Sequence, residues 1–458
     1  MPLPLVPFEH YLLTDDRPDY PMTIFVKLHF TGVLDRPSFE RALADTVARQ
    51  PLLRAFIRES RPGRWEWIDQ SNSQAFLSWN RLGVAWDFPQ GRQLDLRREI
   101  GIRVWIRHDD ERSEMLLQVH HACCDGLGVM QILEDFMLAY DGQRRPGVVV
   151  NFREQDNGLV ARRGKFGLSP LRLLLRLPQE LLGLIGALEF MAHRPLPVAI
   201  PAAPSGANKL SHDEFPASVS HRFGPEEIRV LRNVAKTHEA TLNDVLIRDL
   251  FLALGDWTDE HEPANRGQVL RIMVPVNLRS DEDKRAPAAN IMSMVNLDRR
   301  PSKFGTPRSL LRGLSWEMWA IRKFRLGLTL IHLARLLRKV RGNLAALLPD
   351  TRCLATCVLS NLGRIPSGAA LPRTKGRNLV GDVVLENIEG LAPLRPFTRV
   401  AFVVLFYGGH MSLTMTYDPG QLAPDDARQL LSTLVSRIDR TLSEGEATPA
   451  RAALTAGS

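Results

Sequence analysis

Between Met115 and Tyr140 the sequence changes its period, and that change constrains the fold more than any other stretch. Met115-Leu116-Leu117-Gln118-Val119 is an apolar run of strand type. Val129, Ile132, Leu133, Phe136, Met137 and Tyr140 then fall on one helical face. Between them lies His120-His121-Ala122-Cys123-Cys124-Asp125-Gly126. A loop held by rigid elements on both sides is where chemistry is commonly placed.

Successive side chains of a strand point to opposite faces, so His121 is expected to share a face with Leu117 and Val119, with His120 pointing away. Two such neighbours cannot converge on one metal, and no metal is expected. A neutral imidazole facing a cleft is the chemistry this pair offers. Asp125 precedes the helix and has two readings. It is an N-cap for the first free amides, or a buried carboxylate tied to an arginine.

A length of 458 residues allows two or three domains or one two-lobed enzyme. The net charge of +8 suits an anionic partner: a phosphate-bearing cofactor, an acidic carrier protein or a membrane surface. Its basic residues are dispersed and form no nucleic-acid signature, so no nucleic acid is expected. The four cysteines, Cys123, Cys124, Cys353 and Cys357, read as buried thiols in a reducing compartment. Met1–His10 lacks the pattern of a secretion signal. No uncharged apolar run reaches the ~20 residues of a membrane span.

Both halves of the chain mix strands and helices. Residues 23–30, 52–57, 64–68 and 101–108 read as strands, with Arg64-Trp65-Glu66-Trp67-Ile68 alternating as an edge strand would. Residues 101–108 are expected to pair with 115–121 across Asp109–Ser113. A Pro/Ala/Ser/Gly-rich stretch, 194–214, reads as a linker. It separates a first lobe, 1–193, from a second, 215–445, followed by a loose tail, 446–458. In the second half Thr241 caps a helix, Val269–Arg279 is a buried strand ending in polar groups, and Gly408-Gly409 turns a hairpin. Residues 166–192 and 326–348 are rich in both leucine and arginine. Each fits a helical element packed on the body, or an amphipathic segment at a lipid interface.

The chain has no G-x-S-x-G elbow, no phosphate-binding P-loop and no H-E-x-x-H. Gly126-Leu127-Gly128 is too short for a dinucleotide fingerprint. The histidine loop is what remains. His120-His121-Ala122-Cys123-Cys124-Asp125-Gly126 matches HHxxxDG at every fixed position. In this the sequence resembles the acyl-CoA-dependent acyltransferase superfamily. That group includes chloramphenicol acetyltransferase, peptide-synthetase condensation domains, alcohol acetyltransferases, polyketide-associated acyltransferases and wax ester synthase/diacylglycerol acyltransferases. Arg49-Gln50-Pro51-Leu52-Leu53-Arg54 resembles an early element of the group, with Gln50 where a histidine is usual. Thr241–Leu246, Pro275–Arg279, Ser360–Gly363 and Leu413–Tyr417 resemble later ones.

The resemblance implies an α/β (α+β) fold of two chloramphenicol-acetyltransferase-like lobes, each a mixed sheet flanked by helices, with a tunnel between them. It implies acyl transfer from a thioester, acyl-CoA or an acyl-phosphopantetheine carrier, to a hydroxyl or amine. His121 would be the general base, with no covalent acyl-enzyme and no permanently bound cofactor. Asp125 would pair with Arg54, or with Arg49 as second choice. His120 and Gly126 would be structural; Gly126 would admit the donor's pantetheine arm or serve as a turn glycine. Asn290, Ser360 and Asn361 are candidates to hold the oxyanion or substrate, or are strand-end residues bonding their own backbone. The expected location is the cytoplasm, with the inner membrane surface as a peripheral site. Two alternatives stand beside this: a stand-alone condensation enzyme fed by a carrier protein, and a non-catalytic relative that binds a carrier or membrane.

Overall fold

The computed structural model describes residues 2–70, 73–145, 147, 149–166, 175–201, 215–341, 344, 348–365 and 371–455. In the first half the chain forms β1 (Leu3–Pro4), α1 (Pro7–Asp15), β2 (Thr23–Thr31), α2 (Arg36–Arg49), β3 (Ala55–Arg61), β4 (Arg64–Asp69), β5 (Phe76–Arg81), β6 (Ile102–His108), β7 (Arg112–His120), α3 (Gly126–Arg144) and α4 (Leu177–Ala192). In the second half it forms β8 (Ser218–Phe223), α5 (Pro225–Thr237), α6 (Leu242–His261), β9 (Leu270–Asn277), β10 (Met292–Arg299), α7 (Pro307–Phe324) and α8 (Gly327–Arg341). These are followed by β11 (Cys357–Arg364), β12 (Arg373–Thr374), β13 (Arg377–Val380), β14 (Val383–Leu391), β15 (Val400–Tyr407), β16 (His410–Tyr417) and α9 (Pro424–Thr455).

Local chemistry accounts for many of these boundaries. Asp35 caps α2 by accepting from Ser38 N, and Thr241 caps α6 by accepting from Asp244 N. Asp109 Oδ1 accepts the Glu111 and Arg112 amides in the β6–β7 turn. Gly408 and Gly409 both take positive φ between β15 and β16, which a two-residue hairpin of this kind requires.

The strands form two large mixed sheets. One runs β12-β13-β14-β2-β7-β6-β5, the other β10-β9-β11-β15-β16-β8. A small third sheet is ordered β1-β4-β3, so β4, expected at an edge, is flanked on both sides. Pairing with the two residues of β1 is not visible in the alternation of β4 itself. Each large sheet has its own core, one around Val26, Leu117 and Phe136, the other around Phe251, Ile272 and Phe402.

The lobes do not divide where the composition divides. Strands β12–β14, far into the second half, join the first sheet, where β14 pairs antiparallel with β2 (Ile388 beside Leu28). The front of the expected linker, 194–201, is packed on the second lobe. Val198 and Ala199 are buried there, and Trp257 Nε1 donates to Ala199 O at 3.0 Å. Its remainder, 202–214, lies outside the described residues, as does 167–174 of the leucine-rich stretch. The last helix runs to Thr455, beyond the expected end of the second lobe at 445.

Candidate functional site

Strand β7 ends at His120, and His121 sits in the turn that follows. The alternation argument therefore stops one residue short, yet the two rings diverge as it expects. His120 is fully buried. Its Nδ1 accepts from Ala122 N at 3.0 Å, and its Nε2 lies 3.4 Å from Asp16 Oδ2. That bond folds the turn. Asp16, which also accepts Met22 N at 2.8 Å, was absent from the sequence expectations.

His121 is held from both halves of the chain. Its amide donates to Met22 O at 2.8 Å, and its carbonyl accepts from Asn290 Nδ2 at 2.8 Å. Asn290 Nδ2 also donates to Ala122 O at 2.8 Å. The His121 ring lines a cavity whose walls come from α1, β2, β9, β10, β11 and the 390–398 segment. Its Nδ1 is buried, which leaves Nε2 as the nitrogen able to meet a substrate. Burial pushes the ring's pKa below the ordinary histidine value. Its own carbonyl, the Asp125 carboxylate and the Asn290 side chain pull it up, while His120 pushes it down.

Asp125 satisfies both of its sequence readings at once. It caps α3 by accepting Gly128 N at 2.9 Å, and it forms a two-pronged pair with Arg279, both bonds 2.8 Å. Oδ2 also accepts Ile291 N at 3.0 Å. Arg54, the expected partner, instead meets Asp69 at 2.9 Å through both Nε and Nη2. Arg49 pairs with Asp135 at 3.2 Å. Those two arginines emerge around the end of α2, where carboxylates of the first lobe are nearer. The signal for Arg279 was on the page: an arginine ending a buried strand is a cation in need of a partner.

The remaining candidates separate. Gly126 makes room for the second lobe, since a Cβ there would meet Leu362 Cδ2 at 2.4 Å. Gly126 is not among the glycines of positive φ, so a left-handed turn is not what demands it. Asn290 spends its amide on the histidine turn, and Asn361 Nδ2 donates to Asn243 Oδ1 at 3.1 Å. Ser360 lines the cavity, and its hydroxyl has no hydrogen-bond partner among the described residues. A second cavity shares Pro275, Val276, Asn277 and Asn361 with the first and carries Arg322 and Arg325 on its wall.

Residues 108–246 match the family model of the wax ester synthase/diacylglycerol acyltransferase catalytic domain. Among curated proteins, bacitracin synthase 1 of Bacillus licheniformis is 25% identical over 194 residues, which is 42% of this chain and 3% of that protein. Among solved structures, the first condensation domain of the CDA synthetase superposes with a TM-score of 0.69 at 17% identity, covering 97% of both chains. The epimerization domain from the third module of tyrocidine synthetase B gives 0.64 at 15%, covering 97% of this chain and 98% of that one. The peptide synthetase FmoA3 gives 0.64 at 17%, where this chain covers 45% of that one.

The fold is thus the two-lobed condensation-domain fold. The match over residues 108–246 agrees with the resemblance drawn from the HHxxxDG loop.

Proposed function

We propose that this chain moves an acyl group from a thioester to a hydroxyl or amine, with His121 as general base. The observation that carries the reading is the position of one ring. His121 faces a cavity built from both halves of the chain, in surroundings that keep it neutral near pH 7. Nε2 takes the acceptor's proton as the acceptor atom attacks the thioester carbonyl. The tetrahedral oxyanion then collapses, the carbon–sulfur bond breaks, and the imidazolium returns its proton to the departing thiolate. Base assistance of this kind contributes about 10²–10⁴-fold, and holding both substrates in one cavity adds to it. Ser360, with its uncommitted hydroxyl, is the best supported of the three oxyanion candidates.

The donor we favour is acyl-CoA; Arg322 and Arg325 on the second cavity suit the phosphate of a pantetheine arm, which acyl-CoA and a carrier protein both present. The wall of the first cavity includes Met22, Met273, Met292 and Met294. Such adaptable apolar side chains, with the family match, support a long-chain or lipid-like substrate. The condensation-domain likeness favours a second reading, in which a carrier protein delivers the donor.

Release of free thiol from a panel of acyl-CoAs with alcohols and amines tests the proposal, wild type against His121→Ala. Loss of activity in the variant supports it, and equal rates overturn it. Activity only with carrier-bound acyl groups selects the second reading.

A further inference from the structure

Helix α4 is packed with its apolar side outward. Gly183 and Glu180 face the body. A Cβ at Gly183 would meet Thr329 Oγ1 of α8 at 2.0 Å, and Glu180 lies 3.2 Å from His332 Nδ1 of α8. Leu177, Leu181, Leu182, Ile185, Leu188 and Met191 are each 48–64% exposed. A helix on a water-facing surface has the opposite arrangement, and an apolar patch of this kind marks an interaction site.

Helix α7 extends the patch. Arg176, just before α4, donates to the carbonyls of Phe324 and Arg325 at 3.1 and 3.3 Å. At the other end of α4, Glu189 acts on Glu317 of α7, whose pKa is raised first by burial and further by that neighbour. Both ends of α4 thus lie near α7. On α7, Trp316 and Trp319 are exposed, and Lys323 Nζ sits 4.5 Å over the Trp319 ring. On α8, Leu336 and Val340 are exposed one and two turns beyond His332.

Charge identifies what covers this face. Helix α7 carries Arg308, Arg312, Arg322 and Lys323 against one acid, Glu317, which is itself bonded to Arg299 at 2.8 Å. Helix α8 carries Arg335, Arg338, Lys339 and Arg341 and no acid. Arg322 is paired with Asp244 at 3.5 Å, yet cations remain in clear excess on the two helices. Leucines framed by such an excess, with tryptophans at the border, complement an anionic lipid surface. Among the described residues no helix is long and apolar enough to cross a membrane.

We propose that α4, α7 and α8 dock the protein peripherally on an anionic phospholipid bilayer, with the outward leucines of α4 at the boundary between headgroups and acyl chains. The second cavity is walled partly by Met318, Ile321 and Arg322 of α7 and Gly327 of α8. Its wall and the docking face thus share the same helices, and an apolar substrate has a short path from lipid to cavity. The docking itself holds whatever reaction the cavity performs.

Flotation of the full-length chain with vesicles tests it, using phosphatidylcholine alone and phosphatidylcholine mixed with phosphatidylglycerol. Wild type is expected to float with the mixed vesicles, weakly with neutral ones, and less in high salt. The variant Leu181→Glu/Ile185→Glu/Leu188→Glu is expected to lose about 100-fold in partition with an unchanged thermal melt. Should that melt fall, Lys323→Glu/Lys339→Glu on exposed positions gives the second measure and is expected to bind mixed vesicles more weakly. Failure of wild type to float, or unchanged flotation of both variants, overturns the proposal. So does a wild-type dimer in light scattering that the triple variant dissociates, which would assign the face to a second copy of the chain.

Discussion

Asp125 and Arg279 meet through two 2.8 Å hydrogen bonds across 154 residues of sequence, and both side chains are buried. The carboxylate that starts α3 is thereby neutralised by a residue just past the end of β9. The histidine turn is clamped between the two halves.

Arg279→Ala leaves the Asp125 carboxylate buried without its cation and is expected to destabilise the fold by about 3–5 kcal/mol. Arg54→Ala removes only a half-exposed pair with Asp69 and is expected to cost about 1 kcal/mol or less. Urea unfolding of the two variants checks the ordering. Equal losses would mean that Arg54 matters to the loop after all.

The base is active when neutral, and burial holds its pKa below the ordinary value of 6.5. Acyl transfer is therefore expected to stay level from neutral pH downward and to fall only as pH drops through a value under 6.5. A profile of kcat/KM against pH reads the titration of the free enzyme. An acid limb centred above 6.5 would contradict the environment described for His121.

Asn290 is a positioning residue. Its side chain favours the charged form of the His121 ring, so Asn290→Ala is expected to move the acid limb to still lower pH while reducing kcat. A purely structural role would lower the amount of active protein and leave the limb in place.

Ser360→Ala removes the uncommitted hydroxyl from the cavity wall. If it holds the oxyanion, kcat is expected to fall by about 10²–10³-fold with KM little changed. Asn361→Ala, whose amide is already bonded to Asn243, is expected to affect kcat far less. Steady-state kinetics of the pair decides between them.

Gly126→Ala places a methyl group where Leu362 Cδ2 already lies, and is expected to cost about 1–3 kcal/mol. Adding Leu362→Ala should recover much of that loss, because the obstruction is a single side chain. Thermal melts of the single and double variants measure the recovery.

What the sequence determined by itself was local. The passage from strand to turn to helix at His120–Gly126, the capping carboxylate of Asp125 and the glycine hairpin at 408–409 all follow from spacing within a few residues. So does the divergence of the two histidines. The resemblance carried by HHxxxDG added the two-lobed fold.

Tertiary structure alone decided which distant groups meet. A buried carboxylate states that it needs a cation but not which one, so Arg279 could not be told from Arg54. The run Leu379–Ile388 reads as a strand, yet hydrogen bonding to the backbone has no sequence code, so the place of β14 beside β2 was hidden. The leucine stripe of α4 shows that one side is apolar. Only packing against Thr329 and His332 determined that this side faces outward, because periodicity records an angle around the helix and not what lies beyond it.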